Sequence, residues 1–272
     1  NFQAYIENYK QSIRNVAAAG VYDVCYNFMP VVDWTRTNLN YTLPNNARAL
    51  RFEMSDFAAY DVYILQRPGA EQDYQPEVLT KAKARLDAMS SEEKVLLEKN
   101  IIAGLPGGEG SYDRDGIRAA IDLFIKMGDD GMRANLFAFL REIIPVAEEA
   151  GVRMCIHPDD PPFSLFGLPR VVSTADDARA LLNAVPSPAN GLTLCAGSYG
   201  ARCDNDLVAM AREFGERIYF VHLRNIKREA DGSFFESDHL DGDNDMVGLI
   251  DALLEEESRR KQQGINLPAI AM

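Results

Sequence analysis

Short runs rich in apolar and β-branched residues alternate with longer helical patterns along this chain of 272 residues. Such alternation is typical of βα units arranged around a parallel sheet, and it predicts an α/β fold. The length would allow two domains of about 150 residues, but it also fits a single α/β barrel of about 250 residues. We therefore predict a TIM-like (β/α)8 barrel in one domain over residues 1–272.

The predicted elements follow one another as alternating strands and helices. Five apolar runs have the composition of buried strands: Tyr22–Phe28, Val152–His157, Leu192–Ala196, Ile218–Leu223 and Leu267–Met272. Helices are predicted from an apolar stripe, a terminal glycine or a capping box: Ala134–Ala150 before Gly151, the segments opened by Ser90 with Glu93 and by Thr174 with Asp177, and Met246–Gly264.

The stretch over about residues 67–112 differs from the rest of the chain. It is polar and helical in pattern, and it is closed by the glycine-rich run Gly104–Gly110. We interpret it as a helical insertion that covers one end of the barrel. The glycine run lacks the Gly-Lys-Ser/Thr ending of a phosphate-binding loop and follows no clear strand, so it is a poor candidate for a ligand site.

Charge and composition exclude several classes of partner. The chain has 28 basic and 41 acidic residues, and its formal charge of −13 argues against nucleic acid as a partner. An anionic substrate would need a locally basic pocket.

No apolar run is long enough to predict a membrane span. Four cysteines are too few for a disulfide framework, and without a recognisable export signal we expect a reducing cytoplasm, with the cysteines as core residues or ligands.

Two of the three histidines and one cysteine stand at the ends of predicted strands. His157 and His222 each close an apolar run, and Cys195 closes the run between them. The gaps of 38 and 27 residues are close to the roughly 31 residues that an eight-unit barrel spends on each βα unit. Carboxyl ends of neighbouring parallel strands meet at one face, where barrel enzymes place their chemistry.

These three side chains form the predicted metal centre. Taken singly, a strand-end histidine is more often a hydrogen-bonded structural residue, and cysteine is often a core residue. The shared position on successive strands favours the metal. Two imidazoles and a thiolate suit Zn²⁺ or Fe²⁺, while Mn²⁺ depends more on added oxygen ligands.

Residues next to the strand ends give further candidates. Asp159 or Asp160 could orient His157 through its second ring nitrogen, although turn formation explains these residues equally well. Arg224 could bind a substrate carboxylate with its planar guanidinium, and a surface salt bridge is the alternative.

Two loops are candidates for substrate contact or catalysis. The loop after the first strand carries Asn27, Asp33, Trp34 and Arg36, a mixture more typical of a ligand-binding loop than of a connection, although Trp34 could simply cover the core. His239 lies in a polar acidic loop that could act as a lid or bring this histidine to the centre; a solvated loop is the alternative.

Several strings resemble those of the D-mannonate dehydratase family: CYNFMPVVDWTRT from Cys25, NIIAGLPG from Asn100, HPDDPP from His157, CAGSYG from Cys195, VHLRN from Val221 and HLDGD from His239. The resemblance runs through nearly the whole chain in the same order. It implies a TIM-like barrel and a metal-dependent hydro-lyase that converts D-mannonate to 2-dehydro-3-deoxy-D-gluconate in bacterial hexuronate (glucuronate) catabolism. It also implies Mn²⁺ or Fe²⁺ as cofactor, held by His157, Cys195 and His222.

The resemblance further implies family segments on both sides of this sequence, so that the barrel is incomplete in it. In the family, early strands precede the position of Asn1. An Asp-His segment with a further metal ligand and the main catalytic groups follows the position of Met272, which leaves His239 an auxiliary catalytic role at most. Arg224, Asn27 and Trp34 are the expected substrate contacts, and we expect a homodimer.

Two other functions stay open from the sequence. One is a metal-dependent sugar isomerase or epimerase on a similar barrel, because proton abstraction beside an activated carbon is shared chemistry. The other is a truncated, catalytically silent sugar-acid-binding protein.

Overall fold

The computed structural model describes residues 2–103, 113–265 and 269–271. The run Gly104–Gly110 and parts of the predicted strand Leu267–Met272 lie outside these residues. The described helices are α1 Phe2–Ala18, α2 Met54–Ala58, α3 Pro76–Ala88, α4 Ser91–Ala103, α5 Arg114–Ala150, α6 Ala175–Ala184, α7 Ala196–Tyr199, α8 Leu207–Phe214 and α9 Met246–Gln262. The strands are β1 Asp23–Tyr26, β2 Asn38–Thr42, β3 Arg48–Phe52, β4 Arg153–Ile156, β5 Asn190–Cys195, β6 Ile218–His222, β7 Asn225–Arg228 and β8 Phe234–Ser237.

Four parallel strands form the sheet that carries the site, in the order β1-β4-β5-β6. Beyond β6, Ala271 continues the sheet through a parallel bridge to Phe220. Every residue of β4 and β5 is buried, as expected for parallel strands covered on both faces. The predicted α/β class and barrel-type parallel sheet are confirmed, and four of the predicted strands appear within one or two residues of their expected ends.

Helices pack against the outside of this sheet and bury its main apolar core, which includes Leu136, Leu140, Leu192 and Leu249. Local sequence signals fix where they begin and end. The capping boxes predicted at Ser90 and Thr174 are both present. Helix α5 ends at Gly151, whose φ of 72° lies in the left-handed region that glycine adopts most easily.

A second, antiparallel sheet in the order β2-β3-β8-β7 was not predicted from the sequence. Its strands are only four or five residues long, and β2 (NLNYT) is almost wholly exposed, so no apolar run marks them. Phe52 and Phe234 from this sheet stack at 5.7 Å and pack with Phe57 and Phe166 in a second apolar core.

The helical layer, residues 54–103, packs on this second core. It contains α3 and α4, so the helical pattern predicted from residue 67 is present in the part that the structure describes. The excursion from the parallel sheet already begins at β2, before the predicted insertion. Phe124 packs against both the main core and the second core, and the single domain stays a prediction. Among the described helices, none is long and apolar enough to cross a bilayer.

Candidate metal centre

The parallel sheet brings His157, Cys195 and His222 together at its carboxyl edge. Cys195 and His222 are the last residues of β5 and β6 and are paired in register, and His157 directly follows β4. One ligand atom from each lies within 4.8 Å of the others. His157 and Cys195 are buried and His222 is half-buried. These are the three residues that the strand-end pattern selects.

The hydrogen bonds of His157 leave one ring nitrogen free for a ligand. Nδ1 lies 2.8 Å from the carbonyl oxygen of Pro158, which can only accept, so Nδ1 carries the proton. The buried Nε2 therefore has a lone pair, and it has no hydrogen-bond partner within the described ranges. An unpartnered buried nitrogen beside a thiol and a second imidazole is the chemistry of a metal ligand.

The expectation that Asp159 or Asp160 orients His157 is wrong, because the Pro158 carbonyl already holds Nδ1. Asp159 instead accepts from the backbone N–H of Val172 and the hydroxyl of Ser173, both at 2.8 Å. It thereby closes the loop that follows β4.

Asp160 is the centre of a buried ionic network. Arg36 donates to both of its oxygens, at 2.8 and 3.2 Å, while Arg224 Nη2 and Ser198 Oγ donate to Oδ2 at 2.6 and 2.9 Å. The side chains of Asp160 and Arg36 are fully buried. Burial alone would raise the pKa of Asp160, but the two arginines outweigh it and hold the pKa far below its ordinary value.

Cys195 lies against this network, whose arginine Arg224 lowers the pKa of the thiol. Ser198 Oγ is 3.2 Å and Arg224 Nη2 is 3.8 Å from Sγ. Burial by itself raises the pKa of the thiol, but Arg224 and the imidazoles of His157 and His222 hold it well below its ordinary value. Burial lowers the pKa of His157, but Cys195, Asp160 and the Pro158 carbonyl together raise it above its ordinary value. These neighbours therefore favour the thiolate, which is the form of cysteine that binds metal.

Trp34 closes one side of the centre. Its ring lies 5.1 Å from the His157 ring and 6.4 Å from the His222 ring, and the Arg224 guanidinium lies 5.2 Å from the ring centroid. Trp34 has φ 52°, a left-handed conformation that is unfavourable for a non-glycine residue and is often found at functional sites. Asn27 is exposed and donates to Asp33 at 2.7 Å in the same loop.

His239 lies at the exposed end of a loop after β8. Its carbonyl accepts from Asn225 Nδ2 at 2.7 Å, and its ring is not part of the group of potential metal ligands. Its auxiliary catalytic role stays a prediction.

Sequence reasoning singled out Asp160 and Arg36 but did not connect them with Cys195, and it missed Gly197 and Ser198, which follow Cys195 in the short helix α7. The small residues directly after a strand-end cysteine were the available signal, since they permit close approach of another side chain.

Comparison with known proteins adds the family. The profile of the D-mannonate dehydratase family (UxuA) matches residues 1–266. The chain belongs to this family. It is 75% identical over all 272 residues to a mannonate dehydratase of Saccharophagus degradans, covering 68% of that protein, and 58% identical over 97% of its length to mannonate dehydratase 2 of Agrobacterium fabrum, covering 67% of it.

A solved mannonate dehydratase structure, from Streptococcus suis serotype 2, matches 94% of the chain with 35% identity and a TM-score of 0.69, and the chain spans 60% of that structure. The predicted family and its enzyme class, a carbon–oxygen hydro-lyase, are confirmed by these matches. The chain spans about two thirds of the relatives that it matches.

Proposed function

We propose that this protein dehydrates D-mannonate to 2-dehydro-3-deoxy-D-gluconate, with a divalent metal held by His157, Cys195 and His222. The observation that carries the proposal is the convergence of these three ligand atoms within 4.8 Å at the carboxyl edge of the parallel sheet. Family membership supplies the substrate and the reaction.

The three side chains fit a divalent transition metal. The lowered pKa of Cys195 favours the thiolate, and His157 Nε2 has no hydrogen-bond partner among the described residues, so both atoms suit a metal. Nitrogen and sulfur ligands favour Fe²⁺, and Mn²⁺ would need oxygen ligands in addition. Both ions remain candidates. When bound, the metal would act as a Lewis acid toward substrate oxygens.

The reaction is a β-elimination in which a base removes the proton on C2 and an acid assists loss of the C3 hydroxyl. The C2 proton is weakly acidic beside an ionised carboxylate, so negative charge that develops on the substrate must be stabilised. Trp34 covers the His157 ring and limits access of water on that side. We propose Trp34, Asn27 and Arg224 as substrate contacts and His239 as an auxiliary residue.

Replacing Cys195 with Ser tests the metal centre. We expect loss of tight metal binding, a rise in the dissociation constant of about 100-fold or more, because the hydroxyl is far less acidic than the thiol and cannot supply a thiolate. Metal content of freshly purified protein and titration with Mn²⁺ and anaerobic Fe²⁺ measure the effect. Cys155→Ser is the matched control, since Cys155 is a buried thiol on β4 outside the ligand group.

The activity is tested separately with metal-loaded protein and D-mannonate. Formation of a 2-keto acid that depends on metal and on Cys195 supports the proposal. Conversion of ketoses without any product from mannonate would identify an isomerase or epimerase instead. Metal binding without any turnover would identify a silent binding protein.

We base three further expectations on the family resemblance and the composition: a role in hexuronate catabolism, a cytoplasmic location and a homodimer. They stay predictions.

A further inference from the structure

One carboxylate oxygen holds both groups that contact the Cys195 sulfur. Asp160 Oδ2 accepts from Arg224 Nη2 at 2.6 Å and from Ser198 Oγ at 2.9 Å. Arg224 Nη2 and Ser198 Oγ also lie 3.8 and 3.2 Å from Cys195 Sγ, and Nη2 donates to Oγ at 3.1 Å. The hydroxyl has a single hydrogen, which Ser198 can donate either to Asp160 or to the sulfur. Asp160, Arg224 and Ser198 thus form a compact network with the sulfur at its edge.

The remaining contacts of Arg224 fix its guanidinium in this place. Nη1 donates to Glu236 at 3.1 Å, and the guanidinium lies over the Trp34 ring. Both terminal nitrogens are thus engaged by protein carboxylates. The side chain also crosses α7 so closely that a Cβ on Gly197 would lie 2.0 Å from Arg224 Nε. Only glycine at position 197 leaves room for this path.

We propose that Arg224 and Ser198 are positioning residues for the Cys195 sulfur, held in place by Asp160, and that they set how strongly this thiolate donates to the metal. The inference rests on the proposed metal centre and goes beyond it. N–H and O–H groups that point at a thiolate withdraw electron density from it, because the hydrogen bonds are charge-assisted. A thiolate that donates less electron density leaves the bound cation a stronger Lewis acid.

A purely structural role predicts a different result. If the network only ties the loops after β4 and β5 together, its loss lowers stability but leaves the electronic state of the sulfur unchanged. A spectroscopic signal from the sulfur–metal bond therefore separates the two roles. Co²⁺ is a suitable probe, because a thiolate ligand gives it a charge-transfer band in the near ultraviolet.

The experiment loads the metal-free full chain with Co²⁺ and compares Ser198→Ala and Arg224→Lys with the wild type. We expect the charge-transfer band to move to longer wavelength in both variants, since a sulfur with fewer hydrogen bonds gives up its electrons more easily. Arg67→Lys is the matched control, because Arg67 is a buried arginine bound to carboxylates away from the centre.

Gly197→Ala gives an independent test that removes no charge and no hydrogen bond donor. The added methyl group should displace the guanidinium, and we expect a band shift in the same direction as in Arg224→Lys. If the band lies at the wild-type wavelength in Ser198→Ala, Arg224→Lys and Gly197→Ala, this inference is wrong, while the proposed metal centre is not affected. Absence of any thiolate charge-transfer band in the Co²⁺-loaded wild type overturns the metal centre, and this inference with it.

Discussion

Asp160 at the metal centre and Asp61 in the helical layer are both fully buried carboxylates bound by arginine, yet their pKa values are shifted in opposite directions. Arg36 donates to both oxygens of Asp160, and Arg67 donates to both oxygens of Asp61, at 2.9 and 2.7 Å. The pKa of Asp160 lies far below its ordinary value. Burial raises the pKa of Asp61 above its ordinary value, even though Arg67 opposes the rise.

The number of cations per carboxylate explains the difference. Asp160 has a second arginine, Arg224, at 2.6 Å. Among the described residues, the cation that pairs with Asp61 is Arg67, which also binds Asp73 at 2.6 Å, so one positive charge serves two carboxylates; Tyr74 adds a neutral donor to Asp61 at 2.8 Å. Desolvation of a buried charge costs several kcal/mol, and a single shared partner offsets it only in part. Two arginines thus serve Asp160 and Glu236 at the metal centre, whereas one arginine serves Asp61 and Asp73 in the helical layer.

The largest expected effect comes from Asp160→Asn. This substitution leaves Arg36 without a carboxylate partner and Arg224 with Glu236 alone, so we expect a loss of about 3–5 kcal/mol in the free energy of unfolding. We also expect weaker Co²⁺ binding, because uncompensated positive charge then lies beside the cation site. Urea denaturation and metal titration measure the two effects. A loss below about 1 kcal/mol would contradict the view that Asp160 balances both arginines.

A smaller effect is expected from Asp61→Asn. The amide oxygen can still accept from Arg67 and the burial cost of the charge disappears, so we expect a loss of at most about 2 kcal/mol. Co²⁺ affinity should stay at the wild-type value, because the helical layer contributes nothing to the ligand group. If Asp61→Asn destabilised the protein as much as Asp160→Asn, the number of arginines bound to each carboxylate would not explain why the two carboxylates differ.

The sequence predicted the parts of the molecule that have a periodic or positional signal. The parallel strands are buried on both faces and so appear as apolar runs, and His157, Cys195 and His222 stand at their ends. This combination was enough to select the three residues before any geometry was known. The resemblance in the strings around them then gave the family, which strand spacing alone cannot provide.

The parts that were missed depend on contacts between distant segments. Strand β2 is exposed and polar, so nothing in its composition distinguishes it from a loop. Asp160 was expected to serve His157, its neighbour in sequence, but it binds Arg36, which is 124 residues away, and Arg224, which is 64 residues away. A carboxylate in a Pro-rich turn has no local feature that reveals which distant cation it will meet.

The smallest expected effect is the pH dependence of stability, and it should have opposite signs at the two carboxylates. The pKa of Asp61 is raised in the folded state, so its contribution is fully present below the ordinary value of 3.8 and is lost as pH rises through the raised value. The pKa of Asp160 is lowered, so its contribution is present at neutral pH and is lost only as pH falls below 3.8.

Urea denaturation of the wild type and of both Asn variants between about pH 4 and pH 7 tests these signs. The stability difference between the wild type and Asp61→Asn should grow as pH falls across this range, because protonation relieves the buried charge of Asp61. The difference for Asp160→Asn should stay constant there, since Asp160 remains ionised. If the stability difference between the wild type and Asp61→Asn shrank as pH fell, Arg67 would outweigh burial and the pKa of Asp61 would be lowered. The two carboxylates would then be shifted in the same direction and differ only in the size of the shift.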